Sequence, residues 1–192
     1  MSETWFTSDI HFGHRRVLQF EPVNRPFQSL EDMNVTIIHN WNKLIGPADL
    51  VYVLGDFAFN REGLRLAKVL HGRKKLILGN HDIFSTADYL EYFDSLHGAL
   101  FLNRVLALTH IPIHPNEFGY RSGVNVHGHL HGKLVTKGPY QDPDERYFNA
   151  CLEQNNMKPF HMDEVMKRAQ QVKQRHIHET NENPLIQNRE DH

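Results

Sequence analysis

The sequence predicts an α/β layered domain with a mixed β-sheet, and three observations predict it. In the first half, amphipathic helical stretches alternate with short apolar runs such as Leu50-Val51-Tyr52-Val53-Leu54 and Lys74-Lys75-Leu76-Ile77-Leu78, the pattern of strands covered on both faces. In the second half, hairpin-like strands take over, starting with the pair around Asn103-Arg104. Strand after strand also stops at a cluster of Asp, Asn or His residues. The 192 residues, 40% hydrophobic and 23% charged, suit one globular domain with a substantial core. We place that domain at 1–176 and a polar, unpatterned tail at 177–192.

Taken in order, Thr4–Ser8 reads as a strand that stops at Asp9-Ile10-His11-Phe12-Gly13-His14. Ser29, with Asp32 three positions on, caps a helix whose Leu30, Met33, Ile37, Trp41 and Leu44 recur at three- and four-residue spacing. Gly46-Pro47 ends it, and the strand Leu50–Leu54 runs to Gly55-Asp56. A helix over 61–71, facing inward through Leu64, Ala67, Val69 and Leu70, closes at Gly72. The strand Lys74–Leu78 ends at Gly79-Asn80-His81-Asp82, and a short helix carrying Leu90, Phe93 and Leu96 is expected over 86–97. Two strands flank Asn103-Arg104, the second ending at Thr109-His110. Gly123–Val126 ends at His127-Gly128-His129-Leu130-His131, residues 138–144 form a loop, and Tyr147–Leu152 is a last strand. Met162-Asp163 opens a helix to about residue 176.

A net charge of −2 provides no global field for nucleic acid or an anionic membrane. The start, Met1-Ser2-Glu3-Thr4, has neither a basic n-region nor an apolar h-region. No apolar run approaches the roughly 18 residues of a membrane span. Cys151, the single cysteine, cannot form an internal disulfide and reads as a small buried hydrophobe. A cytoplasmic protein is expected. The fifteen histidines are the unusual feature. His176, His178 and His192 belong to the tail, whereas the informative ones stand at strand ends.

Five strand ends carry metal-competent side chains: Asp9/His11, Asp56, Asn80/His81, His110 and His129/His131. In open α/β sheets ligands bind outside the carboxyl ends of strands, so one rim collects all five. In an extended segment, side chains at i and i+2 share a face, which lets Asp9 and His11 grip one ion and pairs His129 with His131.

In these five motifs (D-x-H, G-D, G-N-H-D, an isolated H and G-H-x-H, in that order) the sequence resembles the calcineurin-like metallophosphoesterases over roughly residues 4–170. Asp9–His14, Arg25-Pro26-Phe27 and Asn40-Trp41-Asn42 are similar to the compact bacterial and phage members. The resemblance implies a four-layer αββα sandwich with two mixed sheets and a metal site at the strand C-terminal ends. It implies that Asp9, His11 and His131 hold a first divalent ion, that Asp56 bridges, and that Asn80, His110 and His129 complete a second. It makes His81 the catalytic histidine, with Asp82 setting its tautomer. Two departures touch the substrate side: Phe57-Ala58-Phe59-Asn60 follows Gly55-Asp56 without a further charge, and Thr109 precedes His110 where glycine is commoner.

Such a site implies hydrolysis of a phosphoric ester by a metal-bridging hydroxide, with two ions about 3.5–4 Å apart clamping the reacting oxygens. His81 would then protonate the leaving oxygen, a role that suits an imidazole pKa of about 6.5. Neutral imidazoles and Asn80 leave the centre positive enough to attract phosphate. Mixed nitrogen and oxygen donors suit Mn, the first choice, or Fe, Ni, Co or Zn. The expected partner is a nucleotide-like phosphodiester, with no membrane and no obligate protein partner. A phosphomonoesterase or nucleotide pyrophosphatase would use the same site. A non-catalytic scaffold for protein binding is the rival from another class, opposed by the completeness of the ligand set. His14, Arg25 and His114 are candidate substrate contacts, as are Arg15, Arg16, Arg121 and Lys133, each also readable as an ordinary turn or surface residue.

Overall fold

The computed structural model describes residues 2–118, 123–139 and 141–182, the last five of them and His176 as backbone only. Arg121, His192 and the side chains of His176 and His178 lie outside this description. Two mixed sheets form the frame. The first runs β4-β3-β2-β1-β9, from β1 (Thr4–Thr7), β2 (Leu50–Val53), β3 (Arg73–Ile77), β4 (Ser95–His97) and β9 (Phe160–His161). Its first four strands are parallel, and β9 pairs antiparallel with β1. The second runs β5-β6-β7-β8, from β5 (Leu100–Leu102), β6 (Leu106–Leu108), β7 (Val124–His127) and β8 (Tyr147–Asn149). Here β5 is antiparallel to β6, and the rest are parallel.

Side-chain alternation splits the core in two. Phe6, Tyr52 and Ile77 project from the first sheet onto Leu106, Leu108, Val124 and Val126 of the second. Val51, Val53 and Leu76 project the other way, onto Met33, Ile37 and Trp41 of α2 (Leu30–Leu44) and Leu64 of α3 (Arg61–Arg65). Ser29 Oγ accepts the Asp32 N–H, the cap expected for α2. Helix α5 (Met162–Glu182) touches β1 and β9 of one sheet and β7 of the other, and Val165 and Ala169 bury into the intersheet core. Asn103 and Arg104 both take positive φ, as a two-residue type I′ hairpin requires, and Val105 N–H closes the turn on Leu102 O.

Four expectations need correction. The helix over 61–71 is α3 followed by a 3₁₀ turn at Leu66–Val69. At three residues per turn Leu64, Ala67 and Leu70 share a face, which turns Val69 outward to 51% exposure. The helix over 86–97 stops early: α4 (Thr86–Leu90) starts on a Ser85/Asp88 capping box, and 95–97 is β4. The open edge of β3 offers Leu96 a strand partner, and Leu90 stays half in solvent. The last strand is shorter than Tyr147–Leu152, ending at Asn149 before a 3₁₀ turn at Leu152–Asn155. Finally, α5 continues to Glu182, because extending a helix is far easier than nucleating one even where the apolar stripe has run out. The short α1 (Val17–Phe20) and β9 carried no usable pattern.

Candidate metal centre

Register places the centre. Thr7 pairs with Val53 and Val53 with Leu76, so β1, β2 and β3 end together, and the segments after them leave at one rim. Asp9 N–H reaches Gly55 O and His11 N–H reaches Asp56 O, both at 3.0 Å, and these bonds lace the first two segments. A Ser8–Cys151 bridge and the His129 N–H to Asp9 Oδ2 bond (2.8 Å) bring in the second sheet.

Extended alternation is not what turns the candidate ligand side chains inward. Asp9, His11, Asp56, His129 and His131 all have φ between 50° and 69°, in the left-handed region that side chains other than glycine rarely adopt. Local strain of this kind, of order 1–3 kcal/mol per residue, persists where the surroundings over-determine it, often at functional sites. Neighbouring glycines make room. A Cβ on Gly128 would overlap Ser8 Oγ and Asp9 Oδ2, and one on Gly79 would overlap Asp56 Oδ1. Gly128→Ala is therefore expected to destabilise the fold by about 1–3 kcal/mol and to reduce bound metal, as read by denaturant titration and elemental analysis.

The donor atoms fall into two half-sites. Asp9 Oδ1 lies 3.6 Å from His131 Nε2 and 3.6 Å from His11 Nε2. Asn80 Oδ1 lies 2.9 Å from His110 Nε2 and 3.0 Å from His129 Nδ1. Asp56 Oδ2 joins them, 3.7 Å from His11 Nε2 and 3.6 Å from His110 Nε2. Asp9, His11 and His131 converge within 4.8 Å, as do Asp9, Asp56 and His110. Asp9, His11, Asp56 and His110 form a buried floor, while His129 and His131 are half-buried and Asn80 is exposed at the mouth.

The donor set fits divalent cations on an independent count. Asp9 Oδ1 and His11 Nε2 are buried without a hydrogen-bond partner among the described residues, an expensive arrangement unless something else satisfies them. The other ends of Asp9, His110 and His131 are committed. Asp9 Oδ2 accepts from Ser8 Oγ (2.6 Å), His129 N–H and Cys151 Sγ (3.1 Å). His110 Nδ1 meets Leu54 O at 2.8 Å and His131 Nδ1 meets Glu153 Oε1 at 2.7 Å, leaving each Nε2 for the centre. Burial opposes ionisation of Asp9, yet His11, His110 and His131 outweigh it and hold the carboxyl far below its ordinary range. Burial pulls His131 down, and Glu153 reverses this and raises it. Burial and His110 lower His129. All three shifts are those of a site with anionic carboxylates and closely packed imidazoles.

His81 stands beside this cage, half-buried, its ring centroid 5.6 Å from that of His11 and its backbone N–H on Asp56 Oδ1. The Asp82 carboxylate forms no hydrogen bond with the His81 ring. It accepts the backbone N–H groups of Asp56, Phe57 and Gly79, stapling two ligand-bearing turns together. Burial raises the Asp82 pKa against those bonds.

Arg25 is not a substrate contact. It is buried, with Nε 2.7 Å from Glu153 Oε1 and Nη atoms on Ile10 O and Asp9 O, so it holds the backbone of the first ligand turn. His114 is occupied locally, capping a 3₁₀ turn through Nδ1 on Asn116 N–H. His14 does lie by the cage: its ring is 5.4 Å from His11 and 6.2 Å from His81, and burial with the His11 charge pushes its pKa down to about 4. Thr109, in place of the commoner glycine, braces the His110 turn through Ile111 O and Asn125. Sequence reading missed Glu153 and the Cys151 contact, since a lone Glu in a polar stretch and a lone Cys carry no pattern.

Known proteins resemble this chain in sequence and in fold. The family model described as calcineurin-like phosphoesterase matches residues 3–184. A Methanocaldococcus jannaschii protein described as uncharacterized protein MJ1445 is 31% identical over 172 residues, 87% of this chain and 91% of the relative. The gene 66 protein of Mycobacterium phage L5 is 37% identical over 87 residues, 43% of this chain and 41% of that one. The crystal structure of AQ665, a protein of unknown function from Aquifex aeolicus, superposes with a TM-score of 0.67 at 28% identity, covering 87% of this chain and 99% of that chain.

Proposed function

The chain belongs to the calcineurin-like phosphoesterases, metal-dependent hydrolases of phosphoric esters, and we propose that it hydrolyses a phosphodiester of a nucleotide or small nucleic-acid fragment. The observation that carries this reading is Asp56 Oδ2, which faces both half-sites at once with a histidine beside it. Asp9, His11, Asp56 and His131 would hold one divalent ion, and Asp56, Asn80, His110 and His129 the other. Mn²⁺ is the proposed working ion. When bound, such ions polarise the phosphoryl oxygens and lower the pKa of a coordinated water.

The protein's own groups do the rest. The His81 ring forms no hydrogen bond with the described residues, so its nitrogens are available to protonate the leaving oxygen. Asp56 Oδ1 and Asp82 fix the turn that presents it. Phe59, 44% exposed, packs one face on His14 at 4.2 Å and lies 5.9 Å from His81. Phe20, 60% exposed, follows at 6.2 Å from His14 with the Arg16 guanidinium 5.1 Å from its ring. Partly exposed aromatic rings with a cation, close to the proposed proton donor, support a nucleoside-bearing ester. No described helix is long and apolar enough to cross a membrane, and we propose a cytoplasmic setting.

The test is a panel of bis-p-nitrophenyl phosphate, p-nitrophenyl phosphate, 2′,3′-cyclic nucleotides and ADP-ribose with several divalent metals. Diesters are expected to turn over fastest with Mn²⁺. A monoester preference would move the assignment to a phosphomonoesterase, and an inert panel with metal bound would revive the scaffold. Because base stacking contributes about 1–3 kcal/mol, Phe59→Ala is expected to raise KM for nucleotide diesters roughly tenfold or more while sparing small alkyl diesters. Equal effects on both classes would remove the stacking role.

A further inference from the structure

We infer that Arg25 and Glu153 form a buried relay that makes the Asp9/His11/His131 half of the centre the tighter cation site, the one that fills first. This rests on the two-cation reading above and adds an order to it. Glu153 Oε1 takes both the His131 Nδ1 contact and the Arg25 Nε contact, each at 2.7 Å, with the Glu153 and Arg25 side chains fully buried. The same guanidinium bonds to Asp9 O and to Ile10 O (3.1 Å). One buried cation therefore sets the backbone of one ligand and, through a carboxylate, the ring of another.

A buried ion pair is a poor device for stability alone, because desolvation offsets much of its attraction. This pair is also not built for full satisfaction, since Glu153 Oε2 has no partner among the described residues. The carboxylate is instead angled to receive His131. A carboxylate behind an imidazole N–H fixes the tautomer and makes the opposite nitrogen a better donor. His131 Nε2, the nitrogen so strengthened, faces Asp9 Oδ1.

Among the described residues the other half has no such backing. His110 Nδ1 rests on a neutral carbonyl, Leu54 O, at 2.8 Å. His129 presents Nδ1 itself, and Asn80 is neutral and exposed. Asp56 is common to both halves, so Asp9 and the relay are what distinguish them. Arg25 offsets the charge of Glu153, so the relay's share of the advantage lies in donor strength and fixed geometry rather than in extra negative charge.

Mn²⁺ titration of the metal-free full chain, followed by electron paramagnetic resonance and equilibrium dialysis, tests this. The wild type should show an isolated six-line Mn²⁺ signal at the first equivalent and a spin-coupled pair only at higher concentration. His129→Ala should keep the tight step, and His131→Ala should lose it. Glu153→Gln should weaken the first step by about 10–100-fold, the usual effect of removing an outer-shell partner, and leave the second little changed. If the unpaired Arg25 prevents folding, the doubly neutral Arg25→Gln/Glu153→Gln protein is measured instead, with the same expectation. An unchanged first step in a folded Glu153 variant overturns the relay, as does equal weakening of both steps or a tight step that survives His131→Ala. A wild type that binds no Mn²⁺, or only one ion, overturns the two-cation reading itself and the relay with it.

Discussion

Asp56→Asn is expected to leave at most one bound ion and to reduce phosphodiester hydrolysis to background. The reason lies in how one carboxylate is divided. Oδ2 faces His11 Nε2 and His110 Nε2 at 3.7 and 3.6 Å, so it serves both half-sites, and Oδ1 accepts the His81 N–H at 2.9 Å. The substitution removes the charge that offsets two neighbouring cations and weakens the anchor of the proposed proton donor. Asparagine is the informative replacement because it tolerates left-handed backbone, and residue 56 has φ 54°. An unfolded protein is therefore not the expected outcome, and circular dichroism should match the wild type. Elemental analysis after dialysis reads the metal, and bis-p-nitrophenyl phosphate reads the rate. Two tightly bound ions with activity near wild type would remove Asp56 from the bridging position. Loss of one ion with substantial activity would mean that a single cation suffices for the chemistry.

The parts of this site visible in the sequence are those whose signal is local. Apolar runs such as Leu50–Leu54 mark buried strands, and the residues just past them must lie at a sheet rim, so Asp56, Asn80 and His110 could be gathered without coordinates. What could not be read is what distant segments do to one another. The i, i+2 argument brought Asp9 and His11 together for the wrong reason, since both have φ near 55° and the chain there is turned, not extended. Asp82 follows His81 directly, which suggests a partner for its ring. In the folded chain the backbone amides of Asp56, Phe57 and Gly79 have the stronger claim on that carboxylate. Arg25 reads as a surface cation until Glu153, 128 residues away, closes over it. The same limit explains β4, where the free edge of β3 overrides a helical spacing that Leu90, Phe93 and Leu96 satisfy locally.

His81→Ala is expected to separate binding from turnover. General acid catalysis contributes about 10²–10⁴-fold, and kcat should fall by that order on esters with poor alkoxide leaving groups. With p-nitrophenolate, which departs without help, the fall should be much smaller. Metal content should remain near that of the wild type, because the His81 ring lies beside the cage and the paired donor contacts of both half-sites are made without it. Asp82→Asn offers the contrast. It loosens the staple between the Asp56 and Asn80 turns without touching the imidazole, so it should reduce metal retention and stability together. It should not reproduce the leaving-group dependence. If His81→Ala loses metal in step with activity, the histidine is a ligand and another group must supply the proton. If the kcat deficit is the same for good and poor leaving groups, His81 acts through orientation or electrostatics, and its general-acid role fails.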